Sequence, residues 1–375
     1  MNGTPTVAVQ PCRTYGLTEV RSAVQAAVHA LPGVSDLFRP GATVLLKPSV
    51  VTPRPPDRAV CTHPAVVQAM AEVAHESGCD VIVADQPTYT FVNQREEALR
   101  PTGYFEAVAH LPARLLLLGR DGYAPTEVPS PLRLSSVHIA RLARGVDVVV
   151  NLAKCKTHTQ TTLTLALKNM FGAVAPRDRM RVHARGAYDE LAAALADCFS
   201  ALVPQLNVMD AVVAMEGAGP SRGPARHVGA IAASTNAVAL DLVMEDLVGM
   251  TGQVGLTRAA ARKGLGPADL AGVTIAGADP RDLRTHLVPP PRLFRGFPPI
   301  LGRLAEGLVY IRPRVDPRTC VACGGCAQAC PVGAIRVKAH AAIDRARCVE
   351  CFCCMEACPA DAIDVERSFL ARLVG

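Results

Sequence analysis

Nine of the fourteen cysteines fall between residues 320 and 358, in one pattern written twice. The first copy is Cys320, Cys323, Cys326, Cys330 and Pro331; the second is Cys348, Cys351, Cys354, Cys358 and Pro359, with Cys353 as an extra thiol inside it. Three thiolates on a tight loop can cap three corners of a cubane. The fourth cysteine, on the helix that follows, faces away and reaches the other cluster. The spacing therefore assigns Cys320, Cys323, Cys326 and Cys358 to one [4Fe-4S] cluster, and Cys348, Cys351, Cys354 and Cys330 to a second. Gly324 and Gly325 allow the backbone to turn closely around a cluster and aim amides at its sulfurs. Paired C-x2-C motifs also bind zinc, but eight thiols in this order, each quartet closed by proline, favour iron–sulfur. The pattern gives Cys353 no ligand role. The chemistry it implies is single-electron transfer at low potential.

A second concentration of reactive side chains is Asn151-Leu-Ala-Lys-Cys-Lys-Thr-His, continuing to Lys168, Asn169, Phe171 and Gly172. Lys154, Lys156 and His158 alternate, so an extended backbone would place them on one face. Such a cationic group could hold a carboxylate or phosphate, or deliver a proton. A solvated basic loop is the competing interpretation. Flanking lysines could also activate Cys155, although an inert small residue suits that position better.

The elements that must position these groups alternate along the chain. Strand-like apolar runs occur at Thr6–Val9, Thr43–Leu46, Val81–Ala84, Leu115–Leu118, Val146–Leu152, Val208–Ala214, Val228–Ala233 and Val273–Ala276. Helical segments are expected at Leu17–Leu31, Ala65–Glu76, Arg95–His110 and Ala237–Val248, with Thr62 and Pro64 starting the second of these. The fold class is therefore α/β, a mostly parallel sheet covered by helices, plus a small α+β ferredoxin-like domain. Parallel sheets bind ligands at the carboxyl ends of their strands. Lys47, Ser49, Asp85, the 151–158 segment and Glu216 all follow such strands.

The expected domains are residues 1–285, a Pro-rich linker over 286–312 that packs on the body, with a short helix near Leu301–Leu308, and a two-cluster module over 313–375. A net charge of +6 over 375 residues is modest and points to anionic small substrates or acidic protein partners more than to nucleic acid; the absence of Trp and 4% aromatics also argue against a base-stacking surface. No leader is seen at the start and no uncharged run spans a membrane, so a cytoplasmic setting that keeps thiolates reduced is expected. No G-x-G-x-x-G or Walker-type sequence is present. Gly217, Gly219 and Gly223, interrupted by Pro220 and Pro224, suggest a rigid turn rather than a phosphate loop, and Cys61 with His63 is a weak metal pair at a helix start.

The segment 151–172, Leu46-Lys47-Pro48-Ser49, and Glu216–Pro224 followed by Ala239-Leu240-Asp241 resemble the domain-of-unknown-function 362 family, many of whose members carry a two-cluster ferredoxin module. The resemblance spans most of residues 5–280. Ser49 stands where asparagine is usual, and Cys155 where leucine or a similar residue is usual. The resemblance implies architecture, and for the ferredoxin-fused members redox enzymes, in some cases reductases of specialised metabolism. Two functions from different classes are thus expected. One is an iron–sulfur reductase of a small, anionic organic substrate with an activated double bond or carbonyl. Its catalytic groups would be His158, Lys156 and Lys168, with His158 preferred as proton donor, and Lys47, Ser49, Asp85, Lys154, Asn169 and Glu216 would bind the substrate. The other is a non-catalytic electron carrier or scaffold docking a partner enzyme. Either needs two [4Fe-4S] clusters and an external low-potential donor of ferredoxin or flavodoxin type. A flavin and a homodimer are compatible with both, though no flavin fingerprint is present; neither nucleic acid nor membrane is an expected partner.

Overall fold

A computed structural model of the chain describes residues 3–87, 95–185, 188–291 and 310–369. The strands of the body are β1 (Thr6–Pro11), β2 (Thr43–Lys47), β3 (Asp80–Asp85), β4 (Arg114–Leu117), β5 (Tyr123–Glu127), β6 (Ser136–Ala140), β7 (Val148–His158), β8 (Thr162–Thr164), β9 (Leu206–Met215), β10 (Ala225–Ser234) and β11 (Thr274–Gly277). Nine of them form one sheet in the order β11-β1-β10-β9-β7-β2-β3-β4, with β8 folding back on β7. Neighbours from β9 to β4 are parallel. β10 opposes both β9 and β1, so β1 and β11 again run with the majority. The sheet is mostly parallel, and each apolar run picked out from the sequence contributes a strand to it.

Helices cover both faces, and a hydrophobic cluster lies on each. Val44, Leu46, Val150, Leu152 and Val208 face one layer, packed by Leu17–His29 and Pro64–Glu76. Leu45, Val149, Ala153, Cys155 and Met209 face the other, packed by Tyr188–Ser200, Ala237–Leu247 and Gly255–Arg262. Burial on both faces explains why the central strands are continuously apolar rather than alternating. β7 is buried along all eleven residues.

Three local expectations change. The 95–110 segment is not one helix: a 3-10 turn over Glu96–Thr102 contains Pro101, Gly103 takes a left-handed φ of 76°, and a short helix follows over Tyr104–Val108. The second helix is capped by His63, whose Nδ1 accepts from the Ala65 amide at 3.1 Å, while Thr62 faces inward and donates to the Leu152 carbonyl. β7 continues through His158 instead of ending at Leu152, so the lysine segment is strand and not loop. Of the expected 286–312 linker, residues 292–309, including the short helix near Leu301–Leu308, lie outside the described residues.

The C-terminal module has two small antiparallel ladders, β12 (Ile311–Val315) with β15 (Ile363–Arg367) and β13 (Ile335–Val337) with β14 (Ala341–Ile343), and short helices at Gly325–Ala329 and Cys353–Glu356. It sits on the loop that follows β2. Arg54 donates to the carbonyls of Pro359 and Cys358 at 2.7 and 2.9 Å and pairs with Asp361 at 2.7 Å. Arg58 and Arg222 also approach Asp361, at 3.6 and 3.8 Å. Thr52 donates to the backbone carbonyl of Glu356.

Candidate functional site

At the carboxyl edge of the sheet, beneath the module, lies a cavity of about 60 Å3. Lys47, at the end of β2, pairs with Asp85, at the end of β3, at 2.7 Å, and both are buried. The second Asp85 oxygen accepts the Val50 amide at 2.6 Å, which ties the loop after β2 to the site. Burial lowers the Lys47 pKa against the pull of Asp85. Gly172 forms part of the wall; a Cβ there would stand 2.8 Å from the Lys47 Nζ and 2.9 Å from Asp85 Oδ1, so only glycine leaves room for the pair.

Lys168 and Asn169 sit on the short helix Ala166–Asn169, whose first amides, from Ala166 and Leu167, donate to Asp241 at 2.8 and 3.1 Å. Asn169 donates to Asn151 Oδ1 at 2.7 Å, and Asn151 donates to Asn207 at 2.8 Å, a buried amide chain that fixes this helix against β7 and β9. Lys168 is held 4.3 Å over the Phe171 ring, and its pKa is lowered by burial although Glu356 attracts the charge. Arg179 and His183, from the helix Pro176–His183, complete that side of the cavity.

The opposite wall is Glu356, which lies on the module between Cys354 and Cys358. His158 Nε2 meets Glu356 Oε1 at 3.3 Å. His158 Nδ1 accepts the Gln160 and Thr161 amides at 3.1 and 3.4 Å, which places the ring proton on Nε2, directed at the carboxylate. An Nδ1 that accepts two amides carries no proton, so the imidazole is neutral, and burial lowers its pKa in the same sense. Burial would raise the Glu356 pKa, but the His158 N–H aimed at it and the Lys168 charge outweigh that and hold it at about 2. His183 is pushed down to about 3 by burial and Lys168, and its Nδ1 lies 2.7 Å from the Gln160 side-chain oxygen.

Of the residues expected to converge, Lys47, Ser49, Asp85, His158, Lys168 and Asn169 line the cavity, whereas Lys154, Lys156 and Glu216 do not. Lys154 is consumed by Asp210 at 2.8 Å and the Tyr15 hydroxyl at 2.7 Å. Lys156 shares its face of β7 but donates to Ser49 Oγ at 3.0 Å and the Val60 carbonyl at 2.6 Å, behind the cavity wall. Glu216 is past the end of β9 and accepts the Val288 amide at 2.9 Å. The common face of β7 is real, but a rise of about 3.3 Å per residue spreads its lysines over different partners. Cys155 points into the opposite core, where burial raises its pKa to about 12, an inert thiol. His63 is spent on its cap and on stacking with Tyr15 at 3.6 Å. At Gly219 a Cβ would fall 2.0 Å from the Thr157 carbonyl, which marks a close-packed turn.

In the module, Cys320, Cys323, Cys326 and Cys358 line one cavity, and Cys330, Cys348, Cys351 and Cys354 line another. These are the crossed quartets implied by the spacing. Amides of Ala334, Ala341 and Ala362 donate to the sulfurs of Cys330, Cys320 and Cys358 at 3.1, 3.4 and 3.2 Å, contacts that favour thiolates. Each quartet surrounds its own cavity, the arrangement that a [4Fe-4S] cluster would use.

Residues 44–246 match the family model described as domain of unknown function (DUF362). The chain belongs to the DUF362 family. Residues 313–336 match a 4Fe-4S binding domain, so this DUF362 protein carries a ferredoxin-type unit with a role in electron transfer. It is 30% identical over 274 residues to the thylakoid-associated protein sll1697 of Synechocystis sp., covering 72% of this chain and 83% of that one. Among solved structures, the lactate racemase apoprotein of Thermoanaerobacterium thermosaccharolyticum matches with a TM-score of 0.39 and 11% identity, over 60% of this chain and 54% of that one. Among the described residues no helix is long and apolar enough to cross a membrane.

Sequence inspection missed Gln86, Arg179, His183 and Glu356 in the lining of the cavity. Arg179 and His183 come from a helix with no strand-end position to mark it. Glu356 was hidden among cluster ligands, although an acid between Cys354 and Cys358 is a readable signal once the module is known to dock by that helix.

Proposed function

We propose that this protein is an iron–sulfur reductase acting on a small organic anion with an activated double bond or carbonyl, bound in the cavity between the sheet edge and the module. The observation that carries the proposal is Glu356: this residue, in the segment between the ligands Cys354 and Cys358, forms a wall of a cationic cavity, so redox groups and ligand site share one segment. The eight cysteines would hold two [4Fe-4S] clusters, which supply electrons one at a time when bound. Saturating a double bond needs two electrons and two protons. An external low-potential protein of ferredoxin or flavodoxin type provides the electrons, and the chain and solvent provide the protons.

Lys168 is the better proton donor. Its ammonium faces the cavity, and desolvation lowers its pKa toward the working range. The His158 proton is already directed at Glu356, so His158 positions that carboxylate instead. Lys47 and Asp85 shape the floor. The buried side chains of its walls strengthen the charge interactions inside the cavity.

The test uses anaerobically purified, dithionite-reduced protein mixed with a panel of unsaturated and 2-oxo carboxylates. At least one should reoxidise it, and Lys168→Met should slow this by about 100-fold or more with iron content unchanged. If no carboxylate reoxidises it but an oxidised ferredoxin does, the carrier function replaces the reductase. About eight iron and eight sulfide per chain are expected. Cys330→Ser should disturb the cluster held by residues 348–354, and Cys358→Ser the one held by 320–326. Damage confined to each variant's own repeat would rule out the crossed assignment.

A further inference from the structure

The charges around the cavity do not cancel. Lys47 is matched by Asp85, and Lys168 faces Glu356 across the space. Both lining histidines are neutral: His158 carries its proton on Nε2 by the hydrogen bonds to its Nδ1, and His183 is desolvated. Arg179 remains. The residue is only 7% exposed, and it makes no ion pair among the described residues. Among the described residues, its Nη1 reaches only the Gln86 carbonyl, at 3.5 Å, and its Nη2 has no hydrogen-bond partner. A buried guanidinium cannot shed its proton, so an orphaned Nη2 carries a desolvation cost that the folded protein alone leaves uncompensated.

We infer that Arg179 is the anchor for a single anionic group of the ligand, a carboxylate, and that the site selects monoanions. This rests on the cavity being the ligand site but not on the ligand being reduced. One negative charge suffices to pair with the guanidinium; a dianion would bring its second charge against the Asp85 carboxylate, which Lys47 already matches. A volume of about 60 Å3 is ample for a carboxylate head, while Val51 and Gly172, both only partly buried, leave room for the rest of the molecule toward solvent. The planar fork of arginine matches carboxylate geometry, which a lysine at this position would not. Lys168, on the other side, is then left free to donate its proton to the reacting end.

The experiment is calorimetric titration of the oxidised, cluster-loaded full-length protein, with no electron donor, in low-chloride buffer. Sodium acetate should bind saturably at one site, and sodium sulfate more weakly. Arg179→Gln should weaken acetate by roughly 10-fold to 100-fold, the loss expected for a charge-assisted hydrogen bond, with unchanged iron content and visible spectrum. Arg179→Lys, which keeps the charge without the fork, should lose less, roughly 3-fold to 10-fold, and serves if the glutamine variant does not fold. Absence of saturable acetate binding, tighter binding of sulfate, or unchanged acetate affinity in whichever variant folds would each overturn the inference. Failure of turnover with acetate binding intact would remove the reductase proposal and leave the anchor standing.

Discussion

Two buried charge clusters sit along the same sheet edge and differ in completeness. Around Lys154, every charge has its partner: Asp210 accepts from Lys154, from the Tyr15 hydroxyl at 2.7 Å and from the His63 amide at 2.8 Å, and Tyr15 stacks on His63. Around Lys168, among the described residues, Arg179 lacks a hydrogen bond at Nη2 and the Glu356 Oε1 has only the neutral His158 ring, at 3.3 Å. The first cluster is closed and pins Leu17–His29 and Pro64–Glu76 to the sheet through the residues that precede them. The second is open and has a cavity at its centre. Buried polar groups are normally satisfied, so the incomplete cluster marks the ligand site better than the density of lysines does.

The largest effect should come from the closed cluster. Asp210→Asn strands the Lys154 ammonium in an apolar interior and should destabilise the protein by about 3–5 kcal/mol, read as a fall in thermal midpoint with iron content matched. A loss below 1 kcal/mol would erase the distinction between the clusters. In the open cluster the sign should reverse. Arg179→Met removes an uncompensated buried charge, so stability should rise, by about 1 kcal/mol, while acetate binding disappears. A large destabilisation there would mean that Arg179 is structural.

Lys156 offers a smaller, pH-dependent comparison. Burial lowers its pKa to about 8 from 10.5. Between those values the unfolded chain binds more protons than the folded one, so its contribution to stability rises with pH over this window and is flat below about 8. The difference in thermal midpoint between parent and Lys156→Met, followed across that range, isolates the effect from the cysteines that titrate there too. A difference independent of pH would show that the lysine is not desolvated. The smallest effect belongs to Cys155. Cys155→Ala, in the opposite core, should cost about 1 kcal/mol and leave cluster loading, anion binding and turnover unaltered; a change in turnover would make the thiol functional after all.

Much of the architecture was legible because it is local. Continuous apolar runs and their spacing specify strands buried on both faces, and strand ends in a parallel sheet specify where ligands bind. That is why Lys47, Ser49, Asp85 and His158 could be chosen, and they meet at the cavity with Lys168 and Asn169 of the short helix after β8. What failed also has a common cause. Lys154 and Lys156 carry the same side chain on the same face of β7, and only their neighbours on β9 and the loop after β2 distinguish them from a ligand-binding lysine. Glu216 follows a strand, as the rule requires, but its carboxylate turns to the 288 backbone.

The sequence by itself determined the two cysteine quartets, since thiol spacing on a loop and its following helix leaves one crossed arrangement, and it determined the α/β class through periodicity. Tertiary structure alone decided that Glu356 of the module and Arg179 of the body would face the same small volume. Their partnership spans 177 residues of chain and depends on how the module is clasped by Arg54 and Arg222. Periodicity encodes whether a side chain is buried; which charge it is buried against is set by long-range packing, and that choice separates a satisfied ion pair from a site waiting for a ligand.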